Sequence, residues 1–171
     1  MIFRETELAG CFIVGIEPVV DERGHFARLF SAEEFAERGL DPTVSQISMS
    51  RNVRMGTLRG LHYQQPPHEE TKLVRCSRGR VYDVAVDLRT RRWTATELSE
   101  RNGRALYIPA GFAHGFLTLE PDSELVYQIS VPYNPAASAG VRWDDPALGI
   151  AWPSVGELTI SAPDRDWPLL E

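Results

Sequence analysis

Apolar and polar positions alternate along most of the chain in short stretches. Residues 81–88 show the pattern most clearly, with Tyr82, Val84, Val86 and Leu88 at every second position. Side chains of a β-strand point alternately to its two faces, so these four would share one face. Similar stretches occupy residues 44–50, 57–64, 72–77, 94–99, 105–108, 112–119 and 124–131, with turn sequences between them. Short strands at this spacing predict an all-β sandwich or barrel.

The alternation of apolar and polar residues is interrupted once, by a segment whose pattern predicts one short helix. Residues 31–39 open on Ser31, carry Glu34 three residues later and end at Gly39. This is the pattern of a capped helix with a glycine stop. From Tyr133 onwards the chain is rich in Pro, Trp and Asp and still apolar, which predicts an irregular tail wrapping the barrel.

Length, charge and cysteine usage narrow the class of protein. A chain of 171 residues can form one domain with a sizeable core, so a single domain over residues 1–171 is expected. The net charge of −6 argues against nucleic-acid binding, and no apolar run is long enough to predict a membrane span. Cys11 and Cys76 are isolated, which is typical of reduced thiols in a cytoplasmic protein.

The candidate chemistry lies in Arg59-Gly60-Leu61-His62, with Lys72 ten residues after the histidine. Histidine exchanges protons near neutral pH, and a fixed cation can hold the charge of a deprotonated carbon acid. The segment therefore indicates proton transfer on a sugar that carries a negatively charged group. The alternative is a strand whose polar residues merely face solvent. Strict alternation would put Arg59 and His62 on opposite faces, so a bulge at Gly60 is needed.

Longer motifs carry a resemblance to known families. Residues 103–116 resemble the second conserved motif of the cupins. Over nearly its whole length the chain resembles the dTDP-4-dehydrorhamnose 3,5-epimerase family, through motifs at residues 21–26, 58–64, 72–74, 81–89, 108–116, 144–146 and 152–153. The resemblance implies a cupin-type jelly-roll β-barrel and no cofactor or metal. It also implies an epimerase that inverts C3, C5 or both in an NDP-4-keto-6-deoxyhexose, by deprotonation next to the ketone and reprotonation from the opposite face.

The same resemblance implies catalytic roles for four residues. His62 matches the general base, and Asp164 matches the carboxylate that orients it. Tyr127 matches the proton donor on the other face of the sugar, and Lys72 matches the cation near the C4 oxygen. The physical logic agrees, because a carboxylate-held imidazole is a suitable base and a single base cannot invert a carbon.

The resemblance also implies the substrate-binding residues. Arg59 and His114 match diphosphate contacts, and Tyr133 matches the ring that stacks on the base. Family members are dimers that exchange N-terminal strands, so residues of that segment would serve the partner's site. The remaining nucleotide contacts implied are Arg23, Phe26 and Gln46, together with the substituted positions Arg28 and Ser48.

Four positions depart from the family pattern, all expected on the nucleotide side. Arg28 and Ser138 stand where the family usually has glutamate, Ser48 where it has asparagine, and Pro163 where it has lysine or arginine. An arginine donates where a glutamate accepts, so a thymine contact made by one cannot be made by the other. The sequence thus leaves dTDP, CDP, GDP and UDP open, as it does the choice of C3, C5 or both.

Two other functions stay open at this point. A metal-dependent cupin isomerase or oxygenase would use His62, His114 and either Glu69 or Glu70 as ligands. A sugar-nucleotide-binding cupin without catalysis would bind but not exchange C–H for deuterium. Asp83 and Asp87 are expected to be solvated or to cap turns. Three tryptophans are expected to anchor the tail to the barrel: Trp143, Trp152 and Trp167.

Overall fold

The computed structural model describes residues 1–170, and its fold is almost entirely β. Fourteen strands occur in chain order: β1 Ile2–Glu5, β2 Phe12–Gly15, β3 Val19–Asp21, β4 Gly24–Phe26, β5 Gln46–Asn52, β6 Thr57–Gln64, β7 Lys72–Arg78, β8 Arg80–Asp87, β9 Arg92–Ser99, β10 Ala105–Ile108, β11 Phe112–Thr118, β12 Ser123–Ile129, β13 Ser138–Gly140 and β14 Thr159–Ile160. Two α-helices, α1 Ala32–Ala36 and α2 Ala162–Arg165, and a 3-10 helix at Pro135–Ala137 complete the described elements.

The strands form two stacked sheets and a separate hairpin. One sheet has the order β1-β2-β10-β7-β12-β5, and the other β13-β6-β11-β8-β9, with β14 parallel to β6. The β3–β4 hairpin pairs only with itself among the described strands. The predicted all-β cupin-type jelly roll is therefore confirmed. β1 was not predicted.

Apolar side chains are buried in two places, between the two sheets and on the outside of the first sheet. The space between the sheets is filled by side chains such as Val74 and Leu106 from one sheet and Val81 and Phe116 from the other. Helix α1 covers the outside of the first sheet through Phe35, which packs with neighbouring aromatic rings. Burial of this kind stabilises the fold by about 25 cal/mol for each Å² of apolar surface removed from water.

The C-terminal tail covers the outside of the second sheet. Val141, Leu148 and Trp152 pack on one face of β8. That face carries Val84 and Val86, which the alternation in residues 81–88 predicted to lie together. The tail is more regular than expected, because it contains β13, β14 and a second short helix. Helix α2 is four residues long, too short for a periodic signal, and begins with Ser161 accepting a hydrogen bond from the Asp164 amide.

Two further sequence predictions concern the helix and the cysteines. Helix α1 has the expected N-cap, with Ser31 accepting from the Glu34 amide. Cys11 and Cys76 are free and buried, and burial raises the pKa of Cys11 to about 12 and of Cys76 to about 11. No helix within residues 1–170 is both long and apolar enough to cross a membrane.

Candidate active site

A cavity of about 430 Å³ opens between the two sheets at one end of the sandwich. It is lined by inward-facing residues of both sheets, and eight of the twelve site residues predicted from the sequence are among them. The lining comprises Gln46, Ser48, Arg59, His62, Glu70, Lys72, His114, Phe116, Tyr127, Ile129 and Tyr133. Of the predicted catalytic residues, only Asp164 lies outside the lining, and it contacts His62 from behind.

The required irregularity in β6 is present at Gly60. His62 pairs with His114 of β11 and Arg59 pairs with Phe116, so two residues of β6 stand opposite one of β11. This extra residue is a β-bulge, which turns both Arg59 and His62 into the cavity. Gly60 has φ +139°, and a Cβ added there would lie 2.6 Å from the Cα of Gly115. Only glycine fits this close approach of two backbones.

His62 is held by a buried carboxylate. Its Nε2 lies 2.6 Å from Oδ1 of Asp164, and Asp164 also accepts from the Gly60 amide and from Nε1 of Trp167, each at 3.3 Å. Burial would raise the pKa of Asp164, but these hydrogen bonds and the charge of His62 hold it below its usual value. With Nε2 donating to the carboxylate, Nδ1 is the nitrogen able to accept a proton.

Trp167 packs beside His62. It was expected to anchor the tail to the barrel, as Trp152 does with its ring 6.0 Å from that of Tyr82 on β8, centroid to centroid. The Trp167 ring lies 6.2 Å from that of His62 on β6 and fills the space beside Gly140. Trp167 thus supports both partners of the His62–Asp164 pair.

Lys72 is buried at the cavity wall and has two partners. Its ammonium lies 2.9 Å from Oε1 of Glu70 and donates to the backbone carbonyl of His62 at 3.3 Å. Both side chains are at least nine-tenths buried. The cation is thereby fixed relative to the base, although the role of Glu70 was not predicted.

Tyr127 reaches the cavity from β12, in the opposite sheet to His62. Its hydroxyl lies 3.0 Å from Oγ of Ser50 on the neighbouring strand β5. Burial raises the pKa of Tyr127 well above its usual range, more than the hydrogen bond with Ser50 and the charge of Arg59 lower it. The phenol therefore carries its proton at neutral pH.

A second histidine–carboxylate pair corrects the prediction for Asp83. Asp83 is fully buried, and its Oδ1 lies 2.8 Å from Nε2 of His114. It was expected to be solvated or to cap a turn, but it sits on the inward face of β8 between Val81 and Ala85. Asp87 does cap a turn, since it accepts from the Arg89 amide.

Side chains nearer the mouth of the cavity are held by neighbouring polar groups. Nε of Arg59 donates to Oδ1 of the buried Asn52 at 2.8 Å. Gln46 accepts from the Tyr133 amide at 3.3 Å and so connects the start of β5 to the exposed aromatic ring. Neither Asn52 nor Ser50 was predicted to matter, because their neighbours in sequence give no sign of what they face.

Three predicted binding residues lie away from the cavity. Phe26 is 76% exposed, the Arg23 side chain is 84% exposed and pairs with Asp21, and Arg28 contacts Glu34. Of the four departures from the family pattern, Ser48 alone lines the cavity. Pro163 lies in α2, next to Asp164.

The possible metal ligands have other partners. His62 pairs with Asp164, His114 with Asp83, and Glu70 with Lys72. Across residues 1–170, no group of three His, Cys, Asp or Glu side chains is arranged to hold a metal ion. The arrangement described instead combines a carboxylate-held imidazole, a buried ammonium and a phenol around one cavity.

Comparison with known proteins bears on this arrangement. A sequence profile described as dTDP-4-dehydrorhamnose 3,5-epimerase matches residues 5–171. The chain belongs to this family. Its relatives include a dTDP-4-dehydrorhamnose 3,5-epimerase of Methanothermobacter thermautotrophicus, 44% identical over 177 residues and covering 99% of this chain and 95% of the relative.

Solved structures of the epimerase family superpose closely. A Legionella pneumophila epimerase in complex with dTDP-4-keto-L-rhamnose is 34% identical, with a TM-score of 0.93 over 98% of this chain and 92% of that one. A 3'-monoepimerase of Streptomyces bikiniensis in complex with dTDP-quinovose is also 34% identical, with a TM-score of 0.89 over 96% and 85%. Close structural relatives thus include both a 3,5-epimerase and an enzyme that acts at one carbon.

Proposed function

We propose that this protein is a cofactor-independent epimerase of NDP-4-keto-6-deoxyhexoses, formed by one domain over residues 1–171. The observation that carries the proposal is a single cavity lined by His62, Lys72 and Tyr127, with Asp164 behind the imidazole. A ketone makes hydrogens on the adjacent carbons acidic, and these three side chains supply a base, a cation and an acid. The dTDP sugars bound by the relatives support the substrate class.

The proposed reaction moves one proton off the sugar and returns another. His62 takes the proton from the carbon next to the ketone. The electron pair of the broken C–H bond delocalises onto the ketone oxygen, which gives an enolate. Lys72 stabilises that oxygen, while Asp164 stabilises the imidazolium that forms. Tyr127 then donates its proton to the opposite face of the same carbon, which inverts it.

Binding of the nucleoside diphosphate is assigned to residues nearer the cavity mouth. Arg59 and His114 would hold the diphosphate, and Gln46 and Tyr133 would contact the base. Ser48 is also in the cavity, where the family usually has asparagine, and this change is the reason to test several bases. A serine hydroxyl reaches less far than an asparagine amide and offers a different set of donors and acceptors.

We also propose a homodimer in which each N-terminal segment completes the partner's site. The β3–β4 hairpin exposes Val19, Val20 and Phe26, and the edge strand β5 beside the cavity exposes Ile47 and Met49. Apolar side chains exposed together on a hairpin and a sheet edge are typical of surfaces that meet another chain. The cytoplasm is the proposed compartment, since two buried free thiols fit a reducing environment.

NMR in D₂O tests the function directly. The purified protein is incubated with dTDP-, CDP-, GDP- and UDP-linked 4-keto-6-deoxyhexoses, and deuterium incorporation is followed separately at C3 and C5. We expect exchange and inversion with at least one sugar, and a loss of about 10²–10⁴-fold in rate for His62→Ala.

His68→Ala is the matched control, because His68 is exposed in the loop that follows β6. It should leave the rate unchanged, and a chelator should do the same. Binding without exchange in any sugar would contradict the proposal in favour of a non-catalytic cupin. Exchange abolished by the chelator would contradict it in favour of a metal enzyme.

A further inference from the structure

Glu70 is a buried carboxylate at the cavity that neither the sequence nor the family comparison assigned to catalysis. It lies two residues before Lys72, and its Oε1 lies 2.9 Å from the Lys72 ammonium. The side chains of Glu70 and Lys72 are only 9% and 7% exposed, and both line the cavity with His62 and Tyr127. A buried ion pair in such a place calls for an explanation, because removing charges from water is unfavourable.

The contacts of the Lys72 ammonium decide its orientation. An ammonium has three N–H groups. The ammonium donates one hydrogen bond to the backbone carbonyl of His62 at 3.3 Å and forms an ion pair with Oε1 of Glu70 at 2.9 Å. The hydrogen bond and the ion pair together restrict how the ammonium turns, and an N–H group remains for an oxygen in the cavity.

The second contact also joins the cation to the base. The carbonyl that accepts from Lys72 belongs to His62 itself, so the ammonium and the imidazole share a backbone anchor. Enolate formation needs the base at the C–H bond and the cation at the oxygen of the adjacent carbonyl. The separation of these two groups is thereby set by the chain before any sugar enters.

We propose that Glu70 is a positioning residue, which directs the remaining N–H of Lys72 at the ketone oxygen of the substrate. The inference rests on the proposed function and extends it, since Glu70 acts through Lys72 and does not touch the reacting carbon. A glutamine at residue 70 could still accept one hydrogen bond but would leave the buried ammonium without its counter-charge. An alanine would remove both the charge and the acceptor.

A double-mutant cycle with Lys72 tests the proposal. Glu70→Gln should lower kcat by about 10-fold and Glu70→Ala by about 100-fold, with KM changed by less than about 3-fold, because orientation at the reacting centre is lost. In a Lys72→Met background neither substitution should lower kcat further, since the group that Glu70 orients is gone. Glu69→Gln, at the neighbouring residue outside the cavity lining, is the matched control and should leave kcat unchanged.

The outcomes separate this inference from the function on which it rests. If the unaltered protein exchanges no C–H, the proposed function fails and the inference fails with it. If the unaltered protein exchanges and Glu70→Gln does not slow it, only the inference is overturned. Equal losses in the Lys72→Met and unaltered backgrounds would assign Glu70 to the fold. Thermal unfolding checks that each variant is folded. If a variant at residue 70 does not fold, Glu70→Asp is measured in its place.

Discussion

The cavity and the β3–β4 hairpin differ in how their side chains are supported. In the cavity the candidates for catalysis and for diphosphate binding each have a polar partner within the same chain, as shown by the pairs His62–Asp164, Lys72–Glu70, His114–Asp83, Tyr127–Ser50 and Arg59–Asn52. In the hairpin, the exposed Arg23 pairs with its neighbour Asp21, and Phe26 faces solvent. The difference indicates that the proposed chemistry is preorganised within one chain, whereas the hairpin is the region where the proposed second copy would add contacts.

The largest expected effect comes from breaking the support of the base. Asp164→Asn replaces a carboxylate by an amide that can offer N–H groups to Nε2 of His62, so the wrong tautomer is favoured and the imidazolium loses its counter-charge. We expect kcat to fall about 10³-fold with little change in KM, measured by deuterium exchange and by product formation.

Asp166→Asn is the control for this change, because Asp166 is exposed and ends the same helix, α2. It should leave kcat within about 2-fold. A loss of less than 10-fold in Asp164→Asn would show that the buried pair does not support the base, and the contrast between the two regions would lose its main example.

The next effect separates the two proton transfers. Tyr127→Phe keeps the ring in place but removes the hydroxyl that contacts Ser50. Removal of the proton by His62 does not require the phenol, so exchange should stay within about 10-fold of normal while inversion falls about 100-fold. The ratio of exchanged to inverted sugar, read by NMR, measures this directly, and a parallel loss of both would contradict the assignment of two separate groups.

Sequence patterns were sufficient for the parts of the fold that depend on local alternation. β6 and β10 have the predicted bounds, and the alternation in β8 correctly put Tyr82 and Val84 on one face, on which the tail packs. These predictions succeed because a strand buried on one or both faces repeats every two residues, whatever its partners are.

The site depended on features that local patterns do not contain. Gly60 allowed a bulge, but its position is fixed by the close approach of Gly115 on β11, which is far away in sequence. Asp83 could have been recognised, because a carboxylate between two inward-facing apolar residues must find a partner. Glu70 gave no such signal, since it precedes β7 in a segment without a repeating pattern.

The smallest of the expected effects is in the hairpin, and it distinguishes a partner surface from an exposed loop. Phe26→Ser removes an aromatic ring that contributes little to folding of the isolated chain, because 76% of the residue is exposed. If the ring packs on a second copy beside the cavity, the substitution should weaken the dimer and raise KM about 10-fold with kcat nearly unchanged. Sedimentation velocity and steady-state kinetics measure the two effects together.

Leu169→Ser is the matched control, an apolar residue of the tail that is 43% exposed. It should change neither the oligomeric state nor KM, so any general effect of removing surface apolar groups would be visible. A monomer with normal KM in both the unaltered and the Phe26→Ser proteins would contradict the proposed exchange of N-terminal strands. In that case one chain would supply every contact to the sugar nucleotide, and the exposed hairpin would need another explanation.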